Sequence, residues 1–447
     1  MGWNAEYRDK VVTFEQAARQ IRSGDTVATA LALGAWSIDM VHAILNRYKE
    51  LENVTLMDGL QLNPDIKLYD RGFLKEAKGR INFCPNFGTA LIRKLHVETL
   101  LDHLSNQSSD AGEKLGRIVD VYVTQVTPPN RQGFVNLGLT NFYSMDTIRI
   151  GRSLGKQRLT IGEVNDQQPV IYGNNWMHVS EFDLFVENSK PVMLFGRAKP
   201  GDAEKTIAKY VLELINDGDT FQMGFGTIPE AVVSGLDVKN DLGVHTEMFP
   251  TDLPRLVRKG VITNRRKPIH TGVTTASFCL GDAEMYEYVR ENPNCLFYPG
   301  SYTNNPAFIA QHPNMVAINM GLLVDLSGQI VSEGIGHRMI SGPGGQLDFQ
   351  IGAYYSKGGK SITLVKSART LKDGRRASSI LPELPAGSPV TVPRHYVDYV
   401  VTEHGIAALR NLTRRQRAEA LIAVADPEFR DELRSAAKEC FYPRGEW

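Results

Sequence analysis

A glutamate at the end of an apolar strand is the residue in this chain best suited to covalent chemistry. In Asp241-Leu242-Gly243-Val244-His245-Thr246-Glu247-Met248-Phe249, Leu242 and Val244 suit a buried strand, and the next three residues break the apolar run. Ligands of open α/β sheets sit outside the carboxyl ends of the strands. A carboxylate there meets them, whereas one deeper in the strand is a buried charge, costly unless paired. Most glutamates are solvated surface groups, so position alone does not separate the two readings of Glu247. The chain has no G-x-S-x-G elbow, no H-E-x-x-H pair and no P-loop, and Thr246 has no evident base beside it. By elimination, Glu247 is the best nucleophile candidate. His245 and Asp348 are of the type that serves as acid or base, although a lone histidine beside a strand end is more often a hydrogen-bonded structural residue.

Two glycine-rich stretches accompany the glutamate. Gln222-Met223-Gly224-Phe225-Gly226-Thr227-Ile228-Pro229 follows an apolar run and opens a helix, with Pro229 near the first turn. Its glycines let backbone N–H groups face a ligand, and a helix amino end favours negative charge. It is either such a site or a tight turn without a ligand. The full G-x-G-x-x-G spacing of a dinucleotide site is missing. The second stretch is Ser341-Gly342-Pro343-Gly344-Gly345-Gln346-Leu347-Asp348-Phe349. Three glycines and a proline in four positions exclude a regular strand or helix. The stretch is a loop with exposed amides, suited to an oxyanion or phosphate, or a plain surface loop. A third stretch, Tyr298 to Pro306, is polar and turn-rich and either lines a pocket or crosses the surface.

The elements that must position these groups alternate between strand and helix. Thr13 to Ile21 has a capping Thr, a Gln three residues on and apolar residues at helical spacing. Strands are expected at Thr26–Ala32 and Val54–Met57, with a helix from Ser37 to Leu45 between them. Such alternation at short spacing points to α/β domains with parallel, doubly covered sheets. The grammar then repeats. Ile215-Asn216-Asp217-Gly218-Asp219-Thr220 matches Ile21-Arg22-Ser23-Gly24-Asp25-Thr26 at an offset of 194 residues (219 − 25). A strand, a glycine turn, a helix (Pro229 to Leu236) and a strand (Leu242 to His245) follow. Val121-Tyr122-Val123 with Gly133 resembles Val316-Ala317-Ile318 with Gly328 at an offset of 195 (328 − 133), and Phe182 to Glu187 parallels Val397 to Glu403. The expected organisation is two homologous domains, residues 1–200 and 201–447, with a boundary near Lys199-Pro200-Gly201. The copies differ where chemistry is expected. Met57-Asp58-Gly59 stands where the second copy has His245-Thr246-Glu247, which suggests one site, built mostly by the second domain and roofed by the first.

Composition narrows the class. At 447 residues the chain is too long for one ordinary core. A formal net charge of zero argues against a nucleic-acid or membrane-surface protein driven by bulk charge. Cys84, Cys279, Cys295 and Cys440 have neither CxxC nor metal-ligand spacing, so reduced thiols in a cytoplasmic protein are expected, and no metal site. The amino terminus has no apolar h-region, Met1-Gly2 lacks the myristoylation pattern, and no apolar run approaches the ~20 residues that span a bilayer.

Five stretches in order resemble the acetyl-CoA hydrolase/transferase family, and within it the 4-hydroxybutyrate and butyrate CoA-transferases. They are Gly224 to Pro229, His245 to Phe249, Thr303-Asn304-Asn305-Pro306, Ser341 to Phe349, and Tyr399-Val400-Val401-Thr402-Glu403-His404-Gly405. The resemblance covers essentially the whole chain. It implies two tandem open α/β/α domains of the NagB/RpiA/CoA-transferase type. It also implies a glutamate nucleophile, which falls on Glu247, and a CoA-binding loop on Gly224, Phe225, Gly226, Thr227 and Ile228. Later CoA contacts fall on Leu322, Gly344 and Gly345, and Gln222 corresponds to a group that helps polarise the thioester oxygen. Pro343 and the segment Thr370 to Arg376 depart from the family pattern.

The implied reaction moves CoA from a short-chain acyl-CoA to a carboxylate, in the acetate, butyrate and 4-hydroxybutyrate class, by a ping-pong route through a glutamyl-CoA thioester. CoA is then a substrate rather than a tightly bound cofactor. The alternative is an acyl-CoA hydrolase using the same glutamate; a non-catalytic small-molecule binding protein is the reading from outside the enzymes. Relatives suggest a homodimer or higher homo-oligomer, with no nucleic-acid or membrane partner.

Overall fold

The computed structural model describes residues 2–32, 36, 38–90, 92–98, 100–197, 199–224 and 226–442. The chain forms two compact units. Unit one comprises Met1–Gly196, Thr275–Thr303 and Met339–Gly344; unit two comprises Arg197–Thr274, Asn304–Arg338 and Gly345–Trp447. A single boundary at residues 200/201 thus marks only the first passage from one unit to the other. Two pieces of the second half belong to unit one because their partners there are remote in sequence. Cys295–Phe297 pairs in parallel with Tyr172–Gly173, and Asn141 N–H donates to Ser277 O at 3.1 Å.

Unit one is built on six strands: β1 (Thr26–Thr29), β2 (Val54–Met57), β3 (Ile81–Phe83), β4 (Val121–Val126), β5 (Leu159–Val164) and β6 (Leu184–Glu187). Their order is β3-β2-β1-β4-β5-β6, and every pairing is parallel. Every residue of β4 and β5 is buried, as expected of a parallel sheet covered on both faces. Helix α1 (Phe14–Ala18) starts with the expected capping box of Thr13 and Gln16 but is shorter than the apolar spacing implied. Helix α2 spans Asp39–Leu45 and buries Met40, Val41, Ile44 and Leu45 in a core with Val27, Val54, Leu56 and Val121. β2 has the bounds expected from sequence. β1 ends early, and Ala32 beyond it turns into the left-handed region at φ +58°.

Unit two repeats the plan with β7 (Thr220–Met223), β8 (Gly243–Val244), β9 (Met315–Met320), β10 (Lys360–Leu364), β11 (Tyr399–Thr402) and β12 (Gly405–Ala408). The order β8-β7-β9-β10-β11 matches β2-β1-β4-β5-β6, and all these pairings are parallel; β12 closes the edge as an antiparallel hairpin on β11. The repeated Gly-Asp-Thr turn has one physical form in both copies. Gly24 and Gly218 take φ of +86° and +81°. Asp25 accepts from Arg22 N–H (2.6 Å) just before β1, and Asp219 accepts from Asn216 N–H (2.8 Å) just before β7. Two helices of unit two matter for the site: α3 (Thr227–Gly235) after β7, and α4 (Gln346–Tyr355) after the second glycine cluster.

Candidate active site

β8 delivers Glu247 to the carboxyl end of the unit-two sheet. The strand is two residues long, shorter than the expected Leu242–His245, and its neighbour is β7. Beyond it His245 and Thr246 are 1% and 0% exposed, while Glu247 emerges half-buried. Thr246 Oγ1 donates to Met248 O at 3.0 Å, which fixes the turn that carries the glutamate. The carboxylate is bonded: Asn304 Nδ2 donates to Glu247 Oε2 at 3.1 Å. Asn304 is wholly buried and follows the short helical turn Gly300–Thr303.

Gly345 completes this cluster. Its φ of −83° and ψ of 7° are open to any residue, so its lack of a side chain answers to space rather than to backbone conformation. A Cβ there would lie 2.5 Å from Asn304 Nδ2 and 3.1 Å from Glu247 Cδ, and closer still to Oε2. Only glycine lets the backbone approach the carboxylate this closely. Gly345 is also the N-cap of α4, where the first N–H groups have no acceptor within the helix. A carboxylate, an amide side chain and the amino end of a ten-residue helix thus meet at one point of unit two.

The other expected site residues fall differently. Gln222 is 2% exposed at the end of β7 and forms a reciprocal amide pair with Asn319 of β9, each Nδ2 or Nε2 donating at 3.0 Å. The pair bridges the place where strand order reverses, the position at which such sheets usually take ligands. Gly224 N–H donates to Ile318 O (3.1 Å), and Gly226 has φ +136°, a conformation suited to glycine, immediately before α3. Thr227 opens that helix, and Ile228 is fully buried, leaving only its backbone to a ligand. Phe225 lies outside the described residues. Met223, Gly224, Gly226 and Pro229 share a shallow hollow with Met248. Leu322 is half-buried and its N–H donates to Val331 O at 2.7 Å; Gly344, at φ +54°, belongs to unit one.

Neither acid–base candidate is open. Asp348 is 0% exposed on α4, and the His245 ring lies 4.7 Å from that of His312. Burial pushes His312 down to about 3, with Lys267 and His270 adding to the effect, so its imidazole is neutral at neutral pH. The second strand-end carboxylate, Glu403, accepts from Ser367 N–H (3.0 Å) and Oγ (2.6 Å) and holds a loop. In unit one Gly59 stands at the position of Glu247, and the residue before it, Asp58, is 5% exposed and accepts from Gln61 Nε2 at 2.5 Å; burial pushes it up to about 7. Among the described residues, no group of three or more His, Cys, Asp or Glu side chains is placed to hold a metal, and no helix is long and apolar enough to cross a membrane.

The residue sequence reasoning left without a role is Asn304. Its signal was the polar Thr303-Asn304-Asn305-Pro306 turn. Asn305 is used for capping, its Oδ1 accepting from Ala307 N–H at 2.9 Å, and Asn304 faces the glutamate.

Parallel α/β units with a bonded, reachable carboxylate at a strand end define a class of ligand-handling enzyme fold. Comparison with known proteins makes the assignment specific. Residues 1–195 match the acetyl-CoA hydrolase/transferase N-terminal domain and residues 281–437 its C-terminal domain. The chain is 37% identical to the 4-hydroxybutyrate coenzyme A transferase of Clostridium kluyveri over 99% of this chain and 100% of that one. It is 34% identical to the butyryl-CoA:acetate CoA-transferase of Anaerostipes caccae, over 97% of each. The crystal structure of RipA from Yersinia pestis superposes with a TM-score of 0.88 at 33% identity, over 98% of this chain and 99% of that one. The chain belongs to the acetyl-CoA hydrolase/transferase family, and its enzyme class is that of the acyl-CoA:carboxylate CoA-transferases.

Proposed function

We propose that the enzyme moves CoA from a short-chain acyl-CoA to a carboxylate, in the acetate, butyrate and 4-hydroxybutyrate class, through a glutamyl-CoA thioester on Glu247. The observation that carries this is the cluster of Glu247, Asn304 and Gly345 in a chain of this family. In the first step a Glu247 carboxylate oxygen attacks the thioester carbonyl carbon. The C–S bond breaks, CoA leaves as thiolate, and an acyl-glutamyl anhydride remains. The thiolate then attacks the glutamyl carbonyl and the original acyl group departs as its carboxylate. A second carboxylate attacks the glutamyl thioester, and the same steps in reverse release it as a CoA ester.

Each tetrahedral intermediate carries an oxyanion, and removing one donor to such a centre typically costs ~2.7–4 kcal/mol of barrier. Asn304 Nδ2, which bonds the Glu247 carboxylate, and the amino end of α4 are the candidate donors. Gln222 would add a donor only by loosening its pair with Asn319. The stretch Gly224–Ile228, which runs into the first turn of α3, is the proposed CoA-binding loop, an anion-favouring helix amino end one strand away from Glu247.

The test is to incubate the enzyme with acyl-CoA, trap with hydroxylamine or borohydride, and locate the modified peptide. A modification at residue 247, absent in Glu247→Ala together with transfer activity, is expected. Full activity in Glu247→Ala refutes the assignment. CoA release in the absence of an acceptor carboxylate, at the rate seen in its presence, would replace transfer by hydrolysis.

A further inference from the structure

β8 lies at the edge of the unit-two sheet, and an edge strand leaves one row of N–H and C=O groups to be satisfied from outside the sheet. Its inner row is regular: Gly243 N–H donates to Asp219 O (2.9 Å) and His245 N–H to Phe221 O (3.2 Å). The outer row belongs to Leu242 and Val244, and the segment 261–274 takes the place of a strand beside them. At Leu242 it does so with backbone. Leu242 N–H donates to Val261 O at 2.8 Å, and Leu242 O accepts from the N–H groups of Thr263 and Asn264, both at 3.0 Å. At Val244 it does so with side chains. Val244 N–H donates to Asn264 Oδ1 at 2.8 Å, and Val244 O accepts from Lys267 Nζ at 2.8 Å. The same Nζ donates to Val273 O at 2.6 Å, tying the last residue of β8 to the far arm of the loop.

We propose that Lys267 is a positioning residue for the transfer reaction: by bridging Val244 O and Val273 O it fixes where β8 ends, and so where the Glu247 carboxylate stands three residues later. This inference rests on the reading of Glu247 as the nucleophile. The bridge is not a requirement of packing. Lys267 is 1% exposed, and its stem fills the space above Gly243, where a Cβ would lie 2.8 Å from Lys267 Cγ. A methionine would fill that space equally. The ammonium group is the part that packing does not ask for, and burial pushes it down to about 7, so its charged form is held at a cost to the fold. An apolar replacement would also leave Val244 O and Val273 O without this donor, which costs stability as well as position. The two carbonyls that the ammonium bridges include the last of the strand that carries the nucleophile, so the bridge positions that strand end as well as stabilising it.

Lys267→Met and Lys267→Gln in the full-length enzyme test the inference. The readouts are kcat, KM for acyl-CoA, melting temperature, and the rate at which the hydroxylamine-sensitive group forms on Glu247. A displacement of about 1 Å at a reacting group costs about a hundredfold in rate. Lys267→Met is therefore expected to melt a few degrees below the parent, because Val244 O and Val273 O lose this donor, and to keep its KM within about threefold. Its kcat and labelling rate should fall about a hundredfold. Lys267→Gln, with an N–H donor on a shorter arm, should fall in between. Parental kcat in Lys267→Met, or a kcat loss fully accounted for by the fraction unfolded at the assay temperature, overturns the proposal. Should Lys267→Met fail to fold, parental kcat in Lys267→Gln overturns it. A parent enzyme that never carries the label on residue 247 sinks the reading of Glu247 itself; a labelled parent with an equally fast Lys267→Met variant sinks the clamp alone.

Discussion

Adding one methyl group at position 345 should separate stability from catalysis. In Gly345→Ala the new Cβ starts 2.5 Å from Asn304 Nδ2, and ordinary contact begins near 3.4 Å. The Asn304 amide must therefore withdraw by about 0.9 Å, and Glu247 Oε2, which is nearer, by more. The 3.1 Å bond between them is lost or redirected. The fold has little to lose. The backbone at 345 already has angles that alanine adopts, and exchanging glycine for alanine at an N-cap changes stability by a few tenths to ~1 kcal/mol. The chemistry has much to lose. An ångström of misplacement is worth about a hundredfold, and loss of one oxyanion donor about 10²–10³. We expect Gly345→Ala to melt within about 3 °C of the parent while its transfer rate falls at least a hundredfold, measured with saturating acyl-CoA and acetate as acceptor. Activity within threefold of the parent would show that the carboxylate needs neither this approach nor this amide.

Three further outcomes follow from the geometry. Asn304→Asp sets a second carboxylate 3.1 Å from Glu247 Oε2; two such groups hold a proton between them, so the transfer rate at pH 7 should drop by about 10² and recover in part as rising pH removes that proton, read from a pH–rate profile. Gln222→Ala leaves the buried Asn319 amide without its partner and should cost about 1–3 kcal/mol in denaturant unfolding; a kcat loss far beyond Asn319→Ala would give Gln222 a direct part in the chemistry. Asp58, pushed up to about 7, binds a proton in the folded protein that the unfolded chain releases above about 4. Its contribution is fully present below pH 4 and is lost as pH rises through 7, a swing of about 4 kcal/mol. Asp58→Asn should flatten the fall in melting temperature between pH 5 and 8, and an unchanged slope would place the proton elsewhere.

Much of the architecture was legible because it is written locally and twice. The Gly-Asp-Thr turn needs a left-handed glycine and an aspartate reaching back three residues. Both copies keep those residues, so the offset of the repeat located β1 and β7 before any pairing was known. Glu247 was legible because three polar residues ended an apolar run. What stayed hidden depends on partners far away in the chain. Nothing in Asn264-Arg265-Arg266-Lys267 distinguishes it from a solvated basic run, yet Lys267 is buried under β8. Nothing in Gln222 says that Asn319, 97 residues on, will occupy its amide. Residues 275–303 join unit one through contacts with residues 141 and 172–173, which no local pattern announces.

The chain passes between its two units at residues 196/197, 274/275, 303/304, 338/339 and 344/345. A gene fragment stopping near residue 196 therefore lacks the strand Cys295–Phe297 that its own Tyr172–Gly173 pairs with. Exchanging halves with a relative by one crossover near residue 196 would leave unit one stitched together from two parents. Anyone recombining these enzymes to alter which acids they accept must transplant three separate stretches together, and the last junction falls between Gly344 and Gly345, beside the glutamate itself.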